Sequence, residues 1–156
     1  VYRQAGMGWA TFIFLLDLSR AMAVAVVACY CLKVSLLPWA AFCLILGNSF
    51  PCFHGFRGGK GVANYLGYTL LVAPWAAVAS AVVWLVAYGV FRVTFMASFF
   101  MVFVLALGHA HHGLWKLDAA SGALASLLLI IFNHRVNIRN YRRPVSSSPK
   151  EEEEGT

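Results

Sequence analysis

The stretch Trp9–Leu32, WATFIFLLDLSRAMAVAVVACYCL, decides the fold. It carries only two charges, Asp17 and Arg20, and is long enough for a membrane-spanning helix, which needs about 20 apolar residues within a range of about 17–25. Asp17 and Arg20 are three apart, so on a helix they share a face and can pair. Ionisable residues inside a span are costly and face a protein or water-filled interior. Two readings of the pair stand: a structural ion pair, or one wall of a polar cavity.

The rest of the chain agrees with a membrane protein. The 156 residues are 61% hydrophobic and 12% charged, with mean hydropathy +0.74, whereas soluble domains carry about 25% charged residues. Further apolar segments run over Leu36–Phe50, Val62–Val72, Trp75–Phe91, Val93–Leu107 and Ala119–Phe132. Of the six, the first and the Trp75–Phe91 segment meet the span length; the other four are short, so one of them can be re-entrant or tilted. The expected fold is all-α: a polytopic integral membrane bundle of about six transmembrane or re-entrant helices, in one domain over 1–143. The remainder, 144–156, is a Pro/Ser run followed by Glu151–Glu154, which cannot bury enough apolar surface to fold and is expected to be a disordered polar tail. The four cysteines (Cys29, Cys31, Cys43, Cys52) lie in apolar or near-apolar stretches without a C-x-x-C pair, so buried free thiols are expected rather than a metal site or disulfides.

If all six segments cross, Arg3, Arg57, Lys60, Arg92, Arg135, Arg139, Arg142, Arg143 and Lys150 share one side, nine of the twelve basic residues. Basic loops favour the cytoplasm. The loop between the second and third segments and the C-terminal basic cluster therefore face the cytoplasm together. No nucleic-acid partner is expected.

That loop carries the chemistry: Gly47-Asn48-Ser49-Phe50-Pro51-Cys52-Phe53-His54-Gly55-Phe56-Arg57-Gly58-Gly59-Lys60-Gly61-Val62-Ala63. Glycines let backbone N–H groups approach a ligand, and successive N–H groups form an anion-binding concavity. Arg57 and Lys60 add positive charge, so a phosphate-bearing ligand fits. A tight turn obeying the positive-inside rule is the plainer alternative. A nucleotide-hydrolysing P-loop is excluded, because Gly61 follows Lys60 where that loop needs Ser or Thr. After the last apolar segment, His134, Asn137 and Tyr141 share a helical face able to offer a base or donor plus an amide, beside arginines suited to lipid headgroups. The run His109-Ala110-His111-His112 lies at the opposite side, away from this site, and no metal centre is expected there.

The loop resembles the second signature motif of the bacterial acyl-phosphate:glycerol-3-phosphate acyltransferases, the PlsY family: G-H-x-x-P-x-F-x-x-F-K-G-G-K-G-V-A-T. Gly47, Pro51, Phe53, Phe56, Gly58, Gly59, Lys60, Gly61, Val62 and Ala63 match in register. His134, Arg135, Asn137 and Ile138 match the third motif, H-R-E-N-I, and Leu15-Leu16-Asp17-Leu18 with Arg20 resembles the family's second transmembrane helix. The resemblance implies an all-helical inner-membrane enzyme that transfers a fatty acyl group from acyl phosphate to the 1-hydroxyl of glycerol 3-phosphate, giving lysophosphatidic acid and inorganic phosphate. It implies no cofactor and no metal; the partners are the two substrates, the bilayer and an unidentified enzyme that makes the acyl phosphate. By the same resemblance, Lys60, His134 and Asn137 are catalytic, and Arg3, Arg57, Gly58, Gly59, Lys60 and Gly61 bind phosphate. Asn48, Arg57, Asn64 and Val136 replace the family's His, Lys, Thr and Glu. The family's first motif, a Ser-Gly-Asn loop, and its first helix are absent, so the chain is expected to be an N-terminally truncated form. A pseudoenzyme that retains phosphate or lipid binding is the alternative, and a small-anion transporter a more distant one.

Overall fold

A computed structural model of the chain describes residues 2–52, 55 and 58–142, with the side chains of all of these except 2–7, 10 and 142. Arg57 and the tail 144–156 lie outside the described residues, as does the side chain of Arg3.

Among the described residues, seven α-helices follow in order: α1 Tyr2–Cys31, α2 Leu37–Ser49, α3 Val62–Val72, α4 Pro74–Phe91, α5 Thr94–His112, α6 Leu117–Asn133 and α7 Arg135–Arg142, with a 3-10 turn at Val34–Leu36 before α2. Proline starts α4 and lies in the first turn of α2, where its missing N–H costs no helical hydrogen bond. Three helices are long and apolar enough to cross a bilayer (Thr11–Cys31 within α1, α4 and α5), and α6 with α7 makes a fourth stretch bent by 47°. The fifth segment, short in the sequence, is therefore a full span: α5 continues through the histidines to His112. The second and third remain short helices, 13 and 11 residues, and they carry the motif loop between them.

The bundle is apolar outside and small inside. Large side chains such as Trp75, Leu85, Phe103 and Leu128 face outward, whereas Ala21, Ala25, Ala28, Ala41, Ala97 and Ala119 are buried. Lipid is as apolar as leucine, so helices associate through close backbone packing rather than through apolar burial. Ala21, Ala25 and Ala28 form one face of α1 at i, i+4 and i+7. There Gly67 of α3 packs so closely that an added Cβ would stand 2.8 Å from the Leu18 carbonyl oxygen and 3.1 Å from the Ala21 methyl. Gly108 of α5 meets Ala76 of α4, and Gly122 of α6 meets the Pro38–Trp39 backbone of α2, in the same manner. The cysteines depart from expectation: all four are free and exposed on the outer surface of the bundle, so apolar surroundings in sequence meant lipid rather than protein.

Two buried polar contacts tie helices together. Tyr68 donates to the Leu37 carbonyl at 2.9 Å, joining α3 to the start of α2. His109 is buried, contacts the Thr69 hydroxyl through Nε2 at 2.9 Å and stacks on Tyr65. Thr69 donates its own proton to the Tyr65 carbonyl, so His109 Nε2 must be the donor to Thr69. This histidine is a core residue tying α5 to α3.

Candidate active site

The loop returns against the end of α2 before α3 begins. Gly58 N–H donates to the Ser49 carbonyl at 3.1 Å and Gly59 N–H to the Asn48 carbonyl at 3.2 Å. Gly58 is required here: a Cβ would lie 2.0 Å from the Asn48 carbonyl oxygen. Gly61 is required twice over, with φ +85° and a Cβ position 2.6 Å from Ile45 Cγ2. The chain enters α3 from this left-handed residue, without a side-chain cap. Tyr65 N–H makes the first helical bond, to the Gly61 carbonyl, so the N–H groups of Val62, Ala63 and Asn64 have no intrahelical partner. An uncapped N-terminus of this kind attracts anions. The N–H groups left without an intrahelical partner thus belong to the first turn of α3. Those of Gly58 and Gly59, expected to meet the ligand, are held by carbonyls instead.

A cavity of about 300 Å³ opens at this point, lined by Asp17, Asn48, Gly59, Lys60, Gly61, Val62, Ala63, Asn64, Thr94, Phe95, Ser98, His134 and Asn137. Lys60, Gly59, Gly61, His134 and Asn137, singled out in the sequence, come together here from the loop and from the far end of the chain. Gly58 stands behind them, against α2.

The bend between α6 and α7 delivers the C-terminal pair. His134 caps α6 and begins the next turn, its carbonyl accepting from Ile138 N–H at 3.0 Å. Its Nδ1 lies 2.8 Å from the Ile130 carbonyl. A carbonyl only accepts, so Nδ1 carries the proton, and the neutral ring presents Nε2 as a lone pair. The ring is 2% exposed and packs edge-on against Phe99. Desolvation lowers its pKa below the usual 6.5; the Ile130 hydrogen bond opposes this, and the positive charge of Lys60 assists it. Lys60 is exposed as a residue, yet neighbouring protein strips enough water from its ammonium to lower its pKa from 10.5. No carboxylate pairs with it among the described residues, where the one ion pair is Asp17–Arg20 at 3.2 Å.

Four polar residues brace the cavity. Arg20 Nη2 reaches Asp17 Oδ1 at 3.2 Å, Asn48 Oδ1 at 2.7 Å and Asn64 Oδ1 at 3.0 Å, so one nitrogen bridges α1, α2 and α3. The two readings of the Asp17–Arg20 pair therefore merge: it is an ion pair, and Asp17 is a wall of the cavity. Asn48 replaces the family histidine without leaving the position idle, since its side chain accepts from Arg20 and its backbone carbonyl from Gly59. Asn133 Nδ2 donates to Ser49 Oγ at 2.7 Å and to the Lys60 carbonyl at 3.4 Å, fastening the loop to α6. The sequence reading missed Asn133 and Ser49; the available signal was an amide closing an apolar run directly before His134.

Val62, Ala63, Thr94 and Ser98 also line a neighbouring apolar groove of about 460 Å³, completed by Phe14, Leu66, Ala81, Trp84, Leu85 and Met101. The polar cavity and the apolar groove thus share one wall.

Fold and site define a class: a polytopic α-helical membrane protein with a polar, lysine-bearing cavity that shares a wall with an apolar groove. The family model of glycerol-3-phosphate acyltransferase matches residues 1–143, and the chain belongs to that family. It is 38% identical to a glycerol-3-phosphate acyltransferase of Anaeromyxobacter sp. (strain Fw109-5) over 92% of this chain and 73% of the relative. Two crystal structures of PlsY (YgiH), an integral membrane glycerol 3-phosphate acyltransferase, are similar in fold at 28% identity. The glycerol 3-phosphate form has TM-score 0.78 over 90% of this chain and 70% of that one; the lysophosphatidic acid form has 0.77 over 90% and 72%.

Proposed function

We propose that the protein transfers an acyl group from acyl phosphate to the 1-hydroxyl of glycerol 3-phosphate, giving lysophosphatidic acid and inorganic phosphate. The observation that carries this reading is a single cavity lined by Lys60, the uncapped start of α3 and His134, whose Nδ1 is bonded to the Ile130 carbonyl, beside an apolar groove that shares four of its lining residues. Similarity to PlsY structures in glycerol 3-phosphate and lysophosphatidic acid forms supports it.

The geometry suits the chemistry. Two anionic substrates must approach each other, which needs positive potential in a partly dry site. Lys60 and the α3 N-terminus supply it, and Asp17 in the same cavity is paired with Arg20 rather than with Lys60. The acyl chain takes the groove, bringing its carbonyl to the cavity mouth. The 1-hydroxyl oxygen attacks the acyl carbon while its proton passes to His134 Nε2; the bond from the acyl carbon to the phosphate oxygen breaks, and phosphate leaves with the electron pair. His134 then returns the proton to phosphate. Burial keeps His134 neutral and hence competent as a base at pH 7. Asn137, one helical turn on, offers its amide to the glycerol hydroxyls. Arg3 and Arg57 are assigned to phosphate binding on the family motif alone. The end of the bundle bearing the cavity faces the cytoplasm of the inner membrane, on the strength of its basic residues.

The test is acyl transfer to labelled glycerol 3-phosphate in lipid vesicles, with the protein expressed from its native reading frame and acyl phosphate as donor. Lysophosphatidic acid formation that is lost in Lys60→Ala and His134→Ala is expected. Absence of product from the unaltered protein would overturn the enzyme reading and favour the pseudoenzyme.

A further inference from the structure

We propose that Asn64 is a further substrate-binding residue, donating through its side-chain amide to a phosphate oxygen in the cavity, and that Arg20 is the residue that positions it. The proposal rests on the acyltransferase reading for the identity of the phosphate.

The argument begins with hydrogen-bond polarity. A guanidinium donates and never accepts. The 3.0 Å contact from Arg20 Nη2 to Asn64 therefore fixes the oxygen of that amide toward Arg20, and its NH2 on the opposite side. Asn64 is 1% exposed, and its Nδ2 has no hydrogen-bond partner among the described residues. A buried donor left unpaired is rare and unfavourable. This one belongs to a residue that lines the cavity beside Lys60 and Gly61. It also stands in the first turn of α3, whose backbone N–H groups lack intrahelical partners at the same place. A phosphate oxygen, which only accepts, would satisfy it. Arg20 is itself held by Asp17 at 3.2 Å and Asn48 at 2.7 Å. Its two Nη2 protons are shared among three acceptors, so the guanidinium is locked and the asparagine with it. The family motif has threonine at this position, a side chain that also offers one donor to its surroundings.

Both substrates carry phosphate, so steady-state kinetics in vesicles are measured with each varied separately. A hydrogen bond to a charged partner sustains about tenfold or more in affinity. Asn64→Leu, of similar size but without a donor, is expected to raise KM for one of the two substrates by about that factor, with kcat changed less; the substrate affected identifies the phosphate. Asn64→Thr is expected to restore KM. Arg20→Lys, still a pure donor, is expected to fall between wild type and Asn64→Leu. If Asn64→Leu does not fold, as judged by thermal melting in detergent, Asn64→Asp replaces it. That variant keeps an oxygen for Arg20, removes the donor and is expected to bind phosphate still more weakly. A folded Asn64→Leu or Asn64→Asp protein with wild-type KM for both substrates overturns the proposal. Calorimetric binding of glycerol 3-phosphate and of inorganic phosphate separates the two claims. Asn64-dependent binding without turnover would sink the acyltransferase reading and leave this assignment standing; binding indifferent to Asn64 would sink the assignment alone.

Discussion

Gly58→Ala tests whether the loop is held as described. The new methyl would sit 2.0 Å from the Asn48 carbonyl oxygen, 2.7 Å from Pro51 Cδ and 2.8 Å from the Ser49 carbonyl oxygen. Two of the three are backbone atoms at the end of α2, so the loop must lift away. Lifting breaks the Gly58 to Ser49 and Gly59 to Asn48 hydrogen bonds, each worth about 1 kcal/mol. The sum, about 2 kcal/mol, corresponds to about thirtyfold. Because Lys60 follows two residues later, the loss falls on positioning of the cation rather than on the bundle. The expected result is a drop of about thirtyfold in kcat/KM for acyl transfer, with the melting midpoint in detergent near that of the wild type. Gly47→Ala is the control: it lies in the same motif, within α2, and an added Cβ meets nothing within 4 Å. Gly58→Ala activity equal to that of Gly47→Ala would refute the reasoning.

Four other outcomes follow from the same structure. His134 is held below 6.5 chiefly by burial, so kcat/KM should persist as pH falls through 6.5 and decline only below it; an acid limb above pH 7 would contradict a neutral His134 base. The same depression means that protonation favours the unfolded chain, so this residue's contribution to stability is complete above pH 6.5 and is lost as pH falls through the folded pKa, as melting against pH would record. At the other end, the lowered Lys60 pKa predicts an alkaline limb below pH 10.5, absent from Lys60→Arg, whose guanidinium does not titrate. Gly67→Val pushes a side chain into the α1 backbone at Leu18 and should destabilise the bundle by about 1–3 kcal/mol, read as a lower melting midpoint.

Much of this was legible because membrane segments announce themselves by length and hydropathy. The third segment, Val62–Val72, coincides with α3, since a glycine before it and Ala73-Pro74 after it leave little latitude. The fifth segment was underestimated, and α5 extends five residues beyond Leu107, because polar histidines can continue a helix when one of them, His109, bonds into the core. The gathering of Lys60, His134 and Asn137 followed from the matched motifs. What sequence could not convey was which loop N–H groups are already bonded within the fold. Glycine is chosen both for ligand approach and for chain approach, and only the contacts of Gly58 with α2 distinguish the two. The Arg20 hub joins three helices across 28 and 44 residues of sequence, a separation that no local spacing rule reaches. The cysteines were misjudged for a related reason: apolar neighbours in sequence do not say whether a side chain meets protein or lipid.

The hydrogen bond from His134 Nδ1 to the Ile130 carbonyl limits more than a tautomer. A ring tethered at one nitrogen to its own helix has one door. A proton accepted at Nε2 has no onward route through the ring into the bundle, and must depart by the atom that received it. Such a site cannot act as a wire between the cavity and a distant group. On the proposed mechanism, the proton taken up at Nε2 returns to the cavity through that same nitrogen, so loading and unloading share one face of the ring.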